Sequence, residues 1–296
     1  MNYDIIMLGH ISKDVLVDHL GAEKRLLGGA IVHSAISASK AGAKVLAITK
    51  TAPEDAGSLG FLRDQVAELI VGPSPATTSI LNVFRTADHE RRDTTLLSRA
   101  QPFTVSDIPA GAESTIIDLA GLFVGELPDT LIAELAGRGK IAVDAQGLLR
   151  NAMPDKTMKF MDWAEKRRYL PLVTWFKTDA AEAEILTGSS DREAAARMLA
   201  SWGAKEVMVT HNTEVIVLVD GVIYRAPFTP KNLSGRTGRG DTTFSSYLTR
   251  RLTHGPQEAV SFAAALCSIK MEKHGPFSGT LDEVYERMER DSGLRG

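Results

Sequence analysis

Short apolar runs alternating with helical patterns are the feature that most limits the folds open to this chain. Residues 4–8, 45–49, 115–118, 141–144, 172–176 and 206–210 each read as a buried strand. Helical patterns separate them at 30–41, 129–137, 155–168, 179–186 and 191–202. The last third is helical over 242–253, 256–273 and 281–289. Strands alternating with helices predict an α/β fold: a doubly wound, mostly parallel sheet with helices on both faces. Asp220-Gly221, between two apolar runs, adds a hairpin.

Two stretches break the alternation. Residues 12–27 and 77–99 are β-like and lie outside the main series, and the second is interrupted by the charged run 88–93. They predict a small β lid over one end of the sheet. Ligands of open α/β sheets bind outside the carboxyl ends of the strands, so a lid there would exclude water from a bound ligand. No linker or repeat divides the chain, and 1–296 reads as one domain with its lid. An exposed lid sheet would also offer a clasp for a second copy, a homodimer.

Composition narrows the function classes. With a net charge of -3, 44% hydrophobic and 24% charged residues, no general attraction to nucleic acid or an anionic membrane is implied. A single cysteine, Cys267, excludes a disulfide framework. No apolar run reaches membrane-spanning length and the N-terminus has no signal-peptide pattern, so a cytoplasmic protein is expected.

The chemistry concentrates at SGRTGRGDTTF, residues 234–244. Two glycines one residue apart precede an acid and a helical segment. A Gly-x-Gly turn feeding a helix N-terminus can aim several N–H groups at one anion, where the helix dipole favours negative charge. Asp241 at the first helical turn then places a base beside a phosphate. Read alone, the same string also fits a turn with an Asp helix cap.

The order of pieces along the chain resembles the ribokinase-like (PfkB) carbohydrate kinase family, and the resemblance covers essentially the whole chain. Gly9 and Asp14, the pair Gly28-Gly29 before a helix, Asp144-Ala145-Gln146, the run from Lys177 to Glu184, Val209-Thr210 and Gly238-Arg239-Gly240-Asp241 stand in the family order. The resemblance implies an ATP- and Mg²⁺-dependent kinase acting on a small polyol: a sugar, nucleoside or cyclitol. Asp241 would be the base, and the backbone of Gly238, Arg239 and Gly240 would hold the transferring phosphoryl group. Asp14, Gly28, Gly29, His33 and Gln146 would contact the acceptor. Lys177, Asp179, Thr210 and Asn212 would lie on the nucleotide side, and Glu182 with Asp179 would arrange Mg²⁺ through waters. An ordinary Asp pKa near 4 is expected for Asp241.

Departures from the family pattern mark a divergent microbial subgroup with a G-R-G-D loop. Arg239 replaces a small residue, and Gly235-Arg236 replaces Asp-Thr. His33, Gln146 and Asp179 each replace Asn, and Asn212 replaces Gly. His10 would line the pocket or sit in a turn, and Arg85, Arg91 or Arg92 would reach the substrate from the lid. His89 in the charged run would be solvated. These departures also leave open a binding module of the same fold that has lost transfer. No P-loop motif and no N-terminal G-x-G-x-x-G occur, which disfavours a P-loop kinase and a Rossmann dehydrogenase.

Overall fold

The computed structural model of the protein describes residues 2–86 and 92–293. The charged lid tip, with His89 and Arg91, lies outside the described residues, as does the side chain of Arg92. The chain opens with β1 (Asn2–Leu8), β2 (Ser12–Val17), β3 (Glu23–Gly28), α1 (Ala30–Lys40), β4 (Val45–Thr51), α2 (Gly60–Arg63), β5 (Glu68–Pro73), β6 (Ser79–Phe84) and β7 (Arg92–Ser98). It continues through β8 (Glu113–Leu119), α3 (Thr130–Leu135), β9 (Lys140–Asp144), α4 (Gln146–Leu149), β10 (Arg150–Ala152), β11 (Met158–Phe160) and α5 (Lys166–Tyr169). It ends with β12 (Val173–Asp179), α6 (Ala180–Thr187), α7 (Arg192–Ser201), β13 (Glu206–Thr210), β14 (Glu214–Val219), β15 (Val222–Pro227), α8 (Arg239–Arg251), α9 (Pro256–Met271) and α10 (Leu281–Gly293).

Alternation along β1 shows why the sheet is covered twice. Ile5 and Met7 join one buried cluster with α1, α8 and α9, while Ile6 and Leu8 join another with α3, α6 and α7. Successive strand residues point to opposite faces, so a strand apolar at every position needs a layer on each side. Among the described residues the sheet runs β15-β14-β13-β12-β9-β8-β1-β4-β5. It is parallel from β13 to β5, with β14 and β15 antiparallel at one edge. From β1 the chain winds outward one way through β4 and β5, and from β8 the other way through β9, β12 and β13. This reversal opens a crevice at the carboxyl ends of the strands.

The two β-like stretches form a separate sheet, in the order β3-β2-β6-β7, that springs from the end of β1. The Asp220-Gly221 turn has positive φ at both residues, +48° and +80°, as a tight hairpin requires.

One expected helix is absent. Residues 155–168 form β11 and the short α5 instead, and β11 pairs with β10. The amide of Leu96 in β7 donates to Lys156 O at 2.9 Å, and Thr95 bridges Thr157. The edge of the lid supplies hydrogen bonds that a helical reading of the local pattern could not weigh. The edge strand β5 also escaped the pattern.

Candidate active site

The loop before α8 is shaped by close packing. Gly235 lies against the end of α9, where an added Cβ would sit 1.7 Å from Lys273 O. Buried Lys270 of α9 donates its ammonium to the carbonyls of Gly235 and Thr237. Gly238 is left-handed, at φ +80° and ψ 15°, and an added Cβ would sit 2.3 Å from His33 Cγ. Glycine alone meets both demands. The amide of Arg239 donates to Arg236 O at 3.2 Å and that of Thr242 to Gly238 O at 3.0 Å, and the first turn of α8 forms the positive end of the helix dipole. Asp241 lies in that turn. His33 packs beneath it, with Nδ1 unpartnered among the described residues. Burial, aided by the charge of Lys270, pushes its imidazole down to about 3, so the ring is neutral.

Below the loop sits a charged cluster. Lys177 on β12 stands in register with Asp144 on β9, and its Nζ lies 3.0 Å from both Asp144 carboxylate oxygens. Glu182 Oε2 is 3.9 Å away, and a Cβ on Gly240 would come within 2.9 Å of the same ammonium. Burial opposes the charge on Lys177, but Asp144 and Glu182 outweigh it and raise its pKa. Asp241 keeps part of its surface open. Burial, and then the charge of Asp144, push it up to about 6 against the pull of Lys177. The expected value near 4 is thereby corrected: dehydration and a like charge outweigh the pull of Lys177 and Lys270.

Asp179 and Glu182 close a capping box at the start of α6. Glu182 N donates to Asp179 Oδ1 and Asp179 N to Glu182 Oε2, each at 2.8 Å. Burial pushes Glu182 up to about 8, opposed by Lys177. Thr210 ends β13 opposite Asp179. In the following turn, Asn212 Oδ1 accepts from Arg239 Nη1 at 2.8 Å and from Arg236 Nη2 at 3.3 Å. Among the described residues no group of three or more His, Cys, Asp or Glu side chains could hold a metal ion. A magnesium ion here would therefore take its ligands from phosphate oxygens and water rather than from a protein cage, with Asp179 and Glu182 the carboxylates offered to its waters.

The acceptor-side residues fall into two places. Asp14 on β2 approaches Gly28 so closely that a Cβ there would lie 2.9 Å from Asp14 Oδ2. Gly29, at φ +105°, packs on the backbone of His10. Gln146 opens α4, with its amide donating to Asp144 Oδ1 at 3.0 Å and its side chain to Gly121 O at 3.4 Å. A cavity of about 640 Å³ lies between the lid and the β10–β11 hairpin, with Arg85, Gln146 and Arg150 in its wall. Of the five residues assigned to the acceptor, only Gln146 lines this cavity; Asp14, Gly28, Gly29 and His33 do not. His10 is fully buried beside Phe103 and Phe123, its Nε2 donating to Gln101 O at 3.0 Å, so it belongs to the core.

A model of the pfkB family carbohydrate kinases matches residues 1–282. The chain belongs to that family. A pyrophosphate-dependent kinase in the ribokinase family, solved with a pyrophosphate analogue and myo-inositol, is 38% identical, with a TM-score of 0.86, covering 97% of this chain and 99% of that one. The cytidine kinase of Thermococcus kodakarensis is 25% identical over 287 residues, 94% of this chain and 99% of that protein. Ribokinase of Arabidopsis thaliana, solved with ribose and ATP, shares the fold at 14% identity and a TM-score of 0.76, covering 98% and 99% of the two chains. This PfkB protein is thus a carbohydrate kinase, a phosphotransferase with an alcohol group as acceptor.

Sequence reasoning missed three residues of this candidate site. Lys270 hides in an alanine-rich helix whose pattern gives no reason to single it out. Asp118 read only as a strand end. It is 1% exposed, and neither carboxylate oxygen has a partner among the described residues. It stands opposite Ala142 in β9. Burial, then Asp144 and Asp241, push its pKa well above the ordinary carboxylate range. Arg150 reaches the cavity only because β10 turns back toward the lid.

Proposed function

We propose that this kinase transfers a phosphoryl group to one hydroxyl of a small polyol, a cyclitol foremost and a nucleoside or sugar next, with Asp241 as general base. One observation carries the reading: the carboxylate of Asp241, its pKa pushed up to about 6, stands in the first turn of α8, at the positive end of the helix. A base whose pKa nears the working pH combines availability with driving force. Asp241 takes the hydroxyl proton as the oxygen attacks. The backbone of Gly238, Arg239 and Gly240 holds the phosphoryl oxygens, and Lys177 adds positive charge beneath them. Asp14, Gly28, Gly29, His33 and Gln146 orient the acceptor. Magnesium, where bound, neutralises phosphate charge, and Asp179 and Glu182 orient its waters.

The donor side favours pyrophosphate over the ATP that the family resemblance implies. Arg236 and Arg239 converge on Asn212, and Lys177 and Lys270 flank the loop. These groups recognise phosphate rather than a base, and the 38% identical relative is named as pyrophosphate-dependent. ATP is the second reading, with Thr210 and Asn212 then on the nucleotide side. The G-R-G-D loop sets the chain in a divergent subgroup, and the lid sheet would clasp a second copy. Each donor incubated with myo-inositol, cytidine and ribose, followed by phosphorus NMR, tests the reading. Pyrophosphate with myo-inositol should give a phosphomonoester fastest. No phosphomonoester from any pair would overturn the assignment.

A further inference from the structure

We propose that the β10–β11 hairpin is the acceptor-discriminating wall of this enzyme, and that the cavity it closes takes an uncharged polyhydroxylated ring. The inference rests on the kinase reading and deepens it. The hairpin is anchored twice to the lid: by the Leu96–Lys156 hydrogen bond at 2.9 Å, and by Met158, which packs with Ile80, Leu96 and Phe123 in a small core under the lid. Phe160, two residues beyond Met158, points to the same face of the strand. It lines the cavity, yet is 45% exposed. A large aromatic left half-open in a cavity of about 640 Å³ is poised to cover the C–H face of a ring.

The rest of the lining matches the rim of such a ring. Thr94, Thr95, Thr157 and Gln146 line the cavity with hydroxyl and amide groups; Thr94 and Thr157 donate to Asn82 Oδ1 and Asp155 Oδ1, which leaves their oxygens to accept. Arg85 is paired with Asp93 across the lid, so that guanidinium is not held free for an anion. Gln146 also ties the cavity to the chemistry: its amide bonds Asp144, which holds Lys177 under the phosphate loop.

Phe160→Ala tests the wall with little risk to folding, because Met158, the anchor, is untouched. Polyol KM should rise about tenfold, the scale of a lost pocket contact, with donor KM and kcat within about twofold. The thermal shift given by myo-inositol or cytidine alone should shrink, while that given by methylene bisphosphonate stays. A Phe160→Ala enzyme indistinguishable from wild type in polyol KM and thermal shift would overturn the assignment and leave the kinase standing. A wild type that binds polyol without turnover, with binding lost in Phe160→Ala, would support the wall and sink the kinase reading.

Discussion

The phosphate loop and the proposed acceptor cavity are built in opposite ways. The loop is one continuous segment, residues 234–241, whose shape follows from glycines and a helix start. The cavity is assembled from β6, β7, the start of α4 and the β10–β11 hairpin, segments far apart in the chain. A transferring phosphoryl group is the same for every substrate, so a local motif can serve it. An acceptor varies, and surface elements joined by a few hydrogen bonds can change without disturbing the sheet. Chemistry should therefore be fragile at the loop, and selectivity should be adjustable at the cavity.

Asp241→Asn should have the largest effect. Turnover should fall by about 10²–10⁴, the usual contribution of a general base. Thermal shifts by polyol and by bisphosphonate should both survive. Retention of more than about a tenth of kcat would remove Asp241 from the role of base and break the contrast at its centre.

Lys177→Met should act on stability as well as rate. It strips the cation from buried Asp144, and uncompensated buried charge typically costs about 3–5 kcal/mol. Urea unfolding would measure it. Tolerance of this change within about 1 kcal/mol would show that the cluster is neutral in the folded state.

Gly238→Ala should cost about 1–3 kcal/mol, because the residue is left-handed and its Cβ would strike His33. Combining it with His33→Ala should recover the steric part and leave the backbone part, a coupling that a double-mutant cycle reads directly. Bisphosphonate binding should suffer more than polyol binding. Equal losses would merge the two regions that the comparison separates.

The smallest expected effect is with pH. Activity should rise as pH passes through about 6, as Asp241 loses its proton. Stability should move the other way. Burial raises the folded pKa of Glu126 to about 8, despite three backbone amide donors. The folded state then holds a proton that the unfolded state has released, and stability falls as pH climbs toward 8. His10 and His33, lowered to about 4 and about 3, act only below their unfolded value near 6.5. The window from about 6.5 to about 8 therefore reports carboxylates. Tm should fall there, and Glu126→Gln should flatten the slope.

Much of the fold was legible because burial repeats. The apolar runs at 45–49 and 141–144 became β4 and β9, and Asp179 to Leu186 became a capped helix. The expected helix at 155–168 failed because its first half pairs across space instead, as β11 with β10 and through the Lys156 carbonyl, which accepts from Leu96 N of β7. At the site, Asp241 and the loop glycines were visible since a helix start is a local event. Asp118, Lys270 and Phe160 were not, since no neighbour in sequence explains their chemistry.

Sequence alone determined the alternation that winds the sheet, the glycine turn before α8 and the acid placed in its first turn, because backbone conformation and periodic burial are set by nearby residues. The tertiary structure decided the proton affinity of that acid, the ammonium locked under Gly240 and the cavity proposed to receive an acceptor. Desolvation, Coulomb interaction and cavity shape depend on distances through space, and those exist only once distant strands have been brought side by side.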